Sequence, residues 1–88
     1  MIGYSSGLSL VSGEGNVMLG FGSGSNYTGS ESYNILIGAD VLGTEGESNT
    51  IHIGDSVTSA ATACYISGIF GAPAGGSAVT IDADGRIL

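Results

Sequence analysis

A short apolar run that recurs along the chain limits what it can fold into. Residues 16–20 read NVMLG, residues 34–38 read NILIG and residues 49–54 read NTIHIG, so each run begins with Asn and is closed by Gly. The closing glycines are 18 and 16 residues apart, and an Ile-Gly pair at residues 2–3 lies 17 residues upstream of the first run. A near-constant period of this kind is typical of stacked, quasi-one-dimensional architectures.

The repeated runs predict short strands. Each is far too short for a helix and is rich in aliphatic and β-branched residues, so we expect strands of about four or five residues. Weaker strands are predicted at residues 8–11 and 40–42, which would form the second side of each coil. No segment reads as a helix. The prediction is an all-β fold in which short-strand β-roll or β-helix repeats stack over residues 1–55.

Glycine and asparagine have a physical role in this pattern. Glycine permits positive φ at the corners of a coil, and Asn or Ser side chains can bond corner amides that no strand ladder reaches. The recurring Asn and Gly therefore mark the two ends of each strand.

The composition changes after residue 55. Residues 56–63 are small and polar and are predicted to form a crossover, and residues 64–71 are the longest strand-like run in the chain. An Ala-Asp-Gly turn at residues 83–85 predicts a tight hairpin. Residues 56–88 are therefore expected to form a C-terminal β-cap or transition module, because a stack of repeats needs a closed end.

Strand alternation sorts the side chains of the runs onto two faces. With Ile35 and Ile37 assigned to the interior, Met18, Leu36 and His52 share the opposite face. Such a stripe on a solvent-exposed sheet indicates packing on another chain. Since a chain of 88 residues with 17 Gly is marginally stable alone, we expect an oligomer whose interface contains Met18, Leu36 and His52.

Charge and composition limit the other partners. The formal net charge is −7 with Arg86 as the one Lys or Arg residue, which gives no electrostatic footprint for nucleic acid. No apolar run approaches the roughly 20 residues that span a bilayer, so membrane insertion is not expected. The single cysteine, Cys64, excludes an intrachain disulfide and multi-cysteine metal motifs. Because the chain starts on the end of a repeat, we expect a piece of a longer protein.

The candidate catalytic and metal-binding residues also have simpler structural explanations. His52 near a trimer axis would offer three imidazoles to a metal or anion, but it can equally be an ordinary strand residue. Asp82 and Asp84 resemble the start of a calcium loop that lacks its third acidic position, and they fit a hairpin turn better. Cys64 has no recognisable base except His52. We therefore predict no catalytic, cofactor or metal site and no enzymatic activity.

Tyrosines are the remaining candidates for binding. Exposed tyrosines on rigid coils are suited to sugars or protein receptors, and Tyr27 and Tyr33 are the candidate receptor contacts. The alternative is that they pack at coil corners or at a subunit interface.

These patterns resemble a known group of proteins. The coils over residues 2–54 are similar to the left-handed β-roll or β-helix repeats of trimeric phage tail fibres and of trimeric autotransporter adhesin heads. Residues 46–54 (GESNTIHIG), 61–69 (ATACYISGI) and 79–87 (VTIDADGRI) resemble a segment of phage tail-fibre-like proteins that precedes a C-terminal intramolecular chaperone.

The resemblance implies a function. It suggests a structural module of a homotrimeric viral tail fibre or tailspike, located in the virion and supporting attachment to a host surface receptor or glycan. The alternative is the receptor- or glycan-binding head of a trimeric adhesin on a bacterial cell surface.

Overall fold

The computed structural model describes residues 1–55, 60–68, 75–76 and 79–83. These residues contain three short strands and no helix: β1 (Val17–Leu19), β2 (Ile35–Ile37) and β3 (Ile51–Ile53). The strands form one parallel sheet in the order β1-β2-β3.

The prediction of a β-rich chain with a strand in each repeat is confirmed. Each strand has three residues instead of the expected four or five. The weaker strands expected at residues 8–11 and 40–42 are absent, because these segments follow turn and irregular conformations. They still stack on their neighbours, since the amide of Gly24 donates to the carbonyl of Val41 at 2.9 Å.

The sequence repeat corresponds to the spacing between stacked positions. Met18 pairs with Leu36, and Leu36 pairs with His52, so the middle residues of the three runs lie in one column. The partial run at the N-terminus adds another level, because Ile2 forms a parallel bridge to Leu19 and its amide donates to the Met18 carbonyl at 2.8 Å.

The assignment of the two strand faces from the sequence is wrong. Met18 and Leu36 are only 1% and 0% exposed, and they form the core together with Tyr27 and Val41, with Leu10 packed against it. The residues on either side of them point outward.

The interior is too narrow for two large side chains from each strand. The Met18 sulfur passes close to Gly24, where a Cβ atom would lie 2.5 Å from it, and close to Gly7. An unbranched thioether adapts to such a gap better than a β-branched side chain does. One inward residue per strand therefore fills the coil, and the β-branched residues face outward.

The repeated asparagines bond the corner amides as predicted. The Asn16 side-chain oxygen accepts from the amide of Asn34 at 3.0 Å, and the Asn34 oxygen accepts from the amide of Thr50 at 2.9 Å. The register that pairs Ile35 with Ile51 makes Thr50, rather than Asn49, the third member of this column. Each side chain thus connects one repeat to the next.

Glycine closes each run because successive repeats approach closely there. Gly20 has a φ of 131°, and a Cβ atom on it would lie 2.6 Å from the carbonyl carbon of Gly38. Gly3 has the same φ and lies against the backbone of Gly20 in the same way. A side chain at these positions would separate the stacked repeats.

Much of the predicted C-terminal module lies outside the described residues. This applies to most of the hairpin turn at 83–85 and to residues 56–59, so the cap over 56–88 stays a prediction. The strand-like run at 64–71 is described as far as Gly68, and that part is irregular and ends in a turn with a φ of 84° at Gly68. The expected strand is therefore absent from residues 64–68.

Candidate functional site

The column of Met18, Leu36 and His52 faces the interior of the stack. Met18 and Leu36 are buried within the single chain, and the His52 side chain is 37% exposed. The register brings the three residues together as expected, but packing inside the chain removes the two apolar ones from contact with a partner. The association expected from the sequence depended on this column, so that support is lost, and the homotrimer stays a prediction.

An outer apolar face covers the other side of the sheet. Val17 and Ile51 are 52% and 68% exposed, and Leu19 and Ile53 are also exposed on the same side. Each of the three strands contributes its first and third residue to this face: Val17, Leu19, Ile35, Ile37, Ile51 and Ile53. No charged residue lies among these six positions.

Tyr27 is not available as the predicted receptor contact. Its side chain is completely buried, and its hydroxyl donates to Oε1 of Glu47 at 2.5 Å. Burial, together with the Glu47 carboxylate, raises the pKa of Tyr27 well above its usual range. The phenol therefore stays protonated and acts as a fixed hydrogen-bond donor inside the stack.

One carboxylate oxygen of Glu47 accepts three hydrogen bonds. Its Oε1 accepts from the Tyr27 hydroxyl, from the Thr44 amide at 3.1 Å and from Nε2 of His52 at 2.9 Å. Burial by itself would raise the pKa of Glu47, but the hydrogen bonds from Tyr27, Thr44 and His52 outweigh it and lower this pKa. Glu47 is thus an internal hydrogen-bond acceptor.

Glu31 is a second inward carboxylate that the sequence did not reveal. It is 3% exposed and accepts from the amides of Gly46 and Gly29, each at 2.9 Å. The backbone hydrogen bond from Gly46 is the main reason that the pKa of Glu31 is lowered. By contrast Glu45 is exposed, where it accepts from the Thr28 hydroxyl at 3.0 Å.

Tyr33 lies on the surface in an unusual backbone conformation. It is 58% exposed and has a φ of 59°. Its hydroxyl donates to Oε1 of Glu14 at 2.7 Å, which raises the pKa of Tyr33. Its amide donates to the Glu14 carbonyl at 2.9 Å, so Tyr33 is held at both ends by one residue of the neighbouring repeat.

The described residues bring few candidate catalytic or metal-binding groups together. A cavity of about 260 Å³ opens beside His52 and is lined by Asn26, Thr44 and Asp55, among others. Within the described ranges no three His, Cys, Asp or Glu side chains group to hold a metal ion. Cys64 is exposed, and Asp84 of the calcium-like sequence lies outside the described residues. No helix among the described residues has the length and hydropathy to cross a bilayer.

The fold and these sites define a small β-rich chain whose repeats pair through three parallel strands. Comparisons of the chain with protein-family models, with curated protein sequences and with solved structures found no match.

Proposed function

We propose that the chain is a structural module of a homotrimeric phage tail fibre or tailspike, in which it supports attachment to the host. In this proposal the stacked repeats form a β-roll or β-helix, the module works in the virion outside the cell, and it has no enzymatic activity. The fibre class and the number three rest on the resemblance to trimeric fibre proteins. A bacterial surface adhesin head is the alternative, and it shares the same assembly.

The stacking of the repeats supports the finer architecture. Hydrogen bonds between repeats continue around the coil beyond the strands: the Gly22 amide donates to the Tyr4 carbonyl at 2.9 Å, and the Asp40 amide donates to the Phe21 carbonyl at 2.7 Å. On the far side the Asn49 amide donates to the Ser32 carbonyl at 3.1 Å. A rod held together by backbone bonds along its axis is rigid, as a fibre must be.

The observation that carries the proposal is the outer apolar face. Six aliphatic side chains in two columns face outward from one short sheet, and exposed apolar patches of this kind mark interaction surfaces.

A second copy of the chain is the partner that fits this face best. The face is purely aliphatic, so it requires an equally apolar surface, and every copy carries one in the same place. Glu14 and Glu45 lie outside the strands, and Glu47 bonds His52 on the inward side of the sheet. Copies that meet through the outer apolar face therefore keep their like charges apart, which a rotational assembly requires.

Sedimentation equilibrium on the chain tests the proposal. The expected mass is three chains at micromolar concentration, and Val17→Glu should shift it toward one chain while the folded circular-dichroism spectrum is kept. Val11→Glu is the matched control, because Val11 is 80% exposed but lies outside the sheet. Leu36→Asp should unfold the chain instead, because Leu36 is in the core. A wild-type chain that sediments as a monomer, or two glutamate variants that behave alike, would contradict the proposal.

A further inference from the structure

Tyr33 occupies a backbone position that suits other residues better. The equivalent positions in the neighbouring repeats are Gly15 and Asn49, with φ of 67° and 61°, against 59° for Tyr33. Glycine and asparagine adopt the left-handed conformation readily, whereas a bulky aromatic residue there is an outlier. Residues held in such conformations cluster at functional sites, and the aromatic ring at Tyr33 therefore calls for an explanation.

The ring of Tyr33 is held in place and remains open to solvent. One side of it lies over Gly15, where a Cβ atom would come within 2.6 Å of Cδ1, so glycine is needed beneath it. The hydroxyl is fixed by its 2.7 Å bond to Glu14. Because the side chain is still 58% exposed, binding to the ring costs little additional conformational entropy.

The described groups around the ring are polar. Glu14 is exposed, and its carboxylate has acceptor sites beyond the one that Tyr33 uses. The Ser32 hydroxyl lies in the same layer and accepts from the Glu14 amide at 3.1 Å, and the hydroxyl of Ser48 accepts from the Ser32 amide at 3.1 Å. This environment suits a ligand that donates hydrogen bonds and has one apolar face.

We propose that Tyr33 and Glu14 bind the pyranose ring of a neutral glycan. The electron-rich face of an aromatic ring attracts the polarised C–H groups of a sugar, and the carboxylate of Glu14 accepts from its hydroxyls. The formal charge of −7 disfavours acidic polysaccharides. The inference goes beyond the fibre proposal and does not require it, since the site is built within one chain.

An alternative explanation for Tyr33 is purely structural. The ring covers Gly15 and the hydroxyl joins two repeats, so the residue would act as a clamp between them. The two explanations differ in what Tyr33→Asn does. A binding residue should be replaceable without loss of folding, because Asn occupies the same backbone position at 49, whereas a clamp should not.

Saturation-transfer and chemical-shift NMR on the full chain test the proposal, with lactose and maltotriose as neutral probes and sialyllactose as the acidic one. We expect a neutral probe to perturb the ring protons of Tyr33, and Tyr33→Asn to weaken binding about tenfold while the melting temperature is kept or raised. Glu14→Gln should weaken binding less. Tyr65→Asn is the control, because Tyr65 is 94% exposed and is not part of the proposed site of Tyr33 and Glu14.

Three results would overturn the inference. The first is that neither neutral probe perturbs the Tyr33 ring, which the wild-type chain decides even if every variant unfolds. The second is that sialyllactose binds more tightly than the neutral probes. The third is that Tyr33→Asn binds the neutral probe as tightly as the wild type does. A wild type that binds no probe, together with a Tyr33→Asn variant that has a lower melting temperature or a changed sedimenting mass, would favour the structural explanation instead.

Discussion

Asn34→Ala should be among the most damaging substitutions of a polar residue in the chain. The Asn34 side chain is completely buried and connects two levels of the stack. Its oxygen accepts from the amide and the hydroxyl of Thr50, each at 2.9 Å, and its nitrogen donates to the Glu47 carbonyl at 3.2 Å. Alanine leaves the Thr50 amide and the Glu47 carbonyl without these partners. At about 1–3 kcal/mol for each of these two groups left unbonded, the expected loss is about 2–6 kcal/mol.

Urea unfolding followed by far-ultraviolet circular dichroism would measure this loss, with all proteins at one concentration because the chain is expected to associate. The control is Asn26→Ala. Asn26 makes one comparable bond, from its side-chain nitrogen to the Gly43 carbonyl at 3.0 Å, but in an exposed position. Water replaces that bond, so its loss should cost under about 1 kcal/mol. Equal losses for the two variants would refute the reasoning that burial of the Asn34 bonds decides the cost.

Two further predictions concern a backbone contact and a carboxylate. Gly20→Ala should lower the free energy of unfolding more than Gly46→Ala does in the same assay. Both glycines have positive φ, which strains an alanine by about 1–3 kcal/mol. Of the two, only Gly20 lies against another backbone. The lowered pKa of Glu47 means that its stabilising effect is complete above the ordinary glutamate pKa of about 4.3 and is lost as the pH falls through the folded value. Glu47→Gln should therefore flatten the acid side of a stability–pH curve.

The positions of the strands follow from the sequence because local signals mark both ends of each one. Asn stands at the start because its side chain forms a hydrogen bond to the next repeat. Gly stands at the end because the backbones of successive repeats approach closely there. Both act within a few residues, so a single sequence displays them. The coil's second side lacks such markers, and the strands expected at 8–11 and 40–42 are absent.

The reversed faces show where the reasoning from sequence failed. Alternation states which residues share a side but not which side is inward. The inward side can be inferred from Asn34 in the same run. Asn34 and Leu36 lie on one side of the strand, so an Asn34 side chain that forms its hydrogen bonds in the interior places Leu36 inward and Ile35 outward. The structure follows the polar residue, because an unbonded buried amide costs more than an exposed isoleucine that a partner can cover.

The contacts of Tyr27 and Glu31 were hidden for a different reason. Tyr27 bonds Glu47, 20 residues later, and Glu31 bonds the Gly46 amide, 15 residues later. Both separations differ from the 16 residues between the closing glycines of the second and third runs. Aligning the repeats by their apolar runs therefore does not place these partners opposite each other. Contacts of this kind depend on how a turn is rebuilt, which no local pattern records.

The distribution of polar and apolar groups connects this fold to assembly. Ser23, Glu31 and Asn34 are buried, and among the described residues no buried side-chain nitrogen or oxygen lacks a hydrogen-bond partner. The apolar core in turn is small, with Met18 and Leu36 at its centre. Much of the chain's aliphatic surface thus lies outside, where it stabilises the protein only when another copy covers it. If copies of the chain associate through the outer apolar face as proposed, the free energy of unfolding should rise with protein concentration.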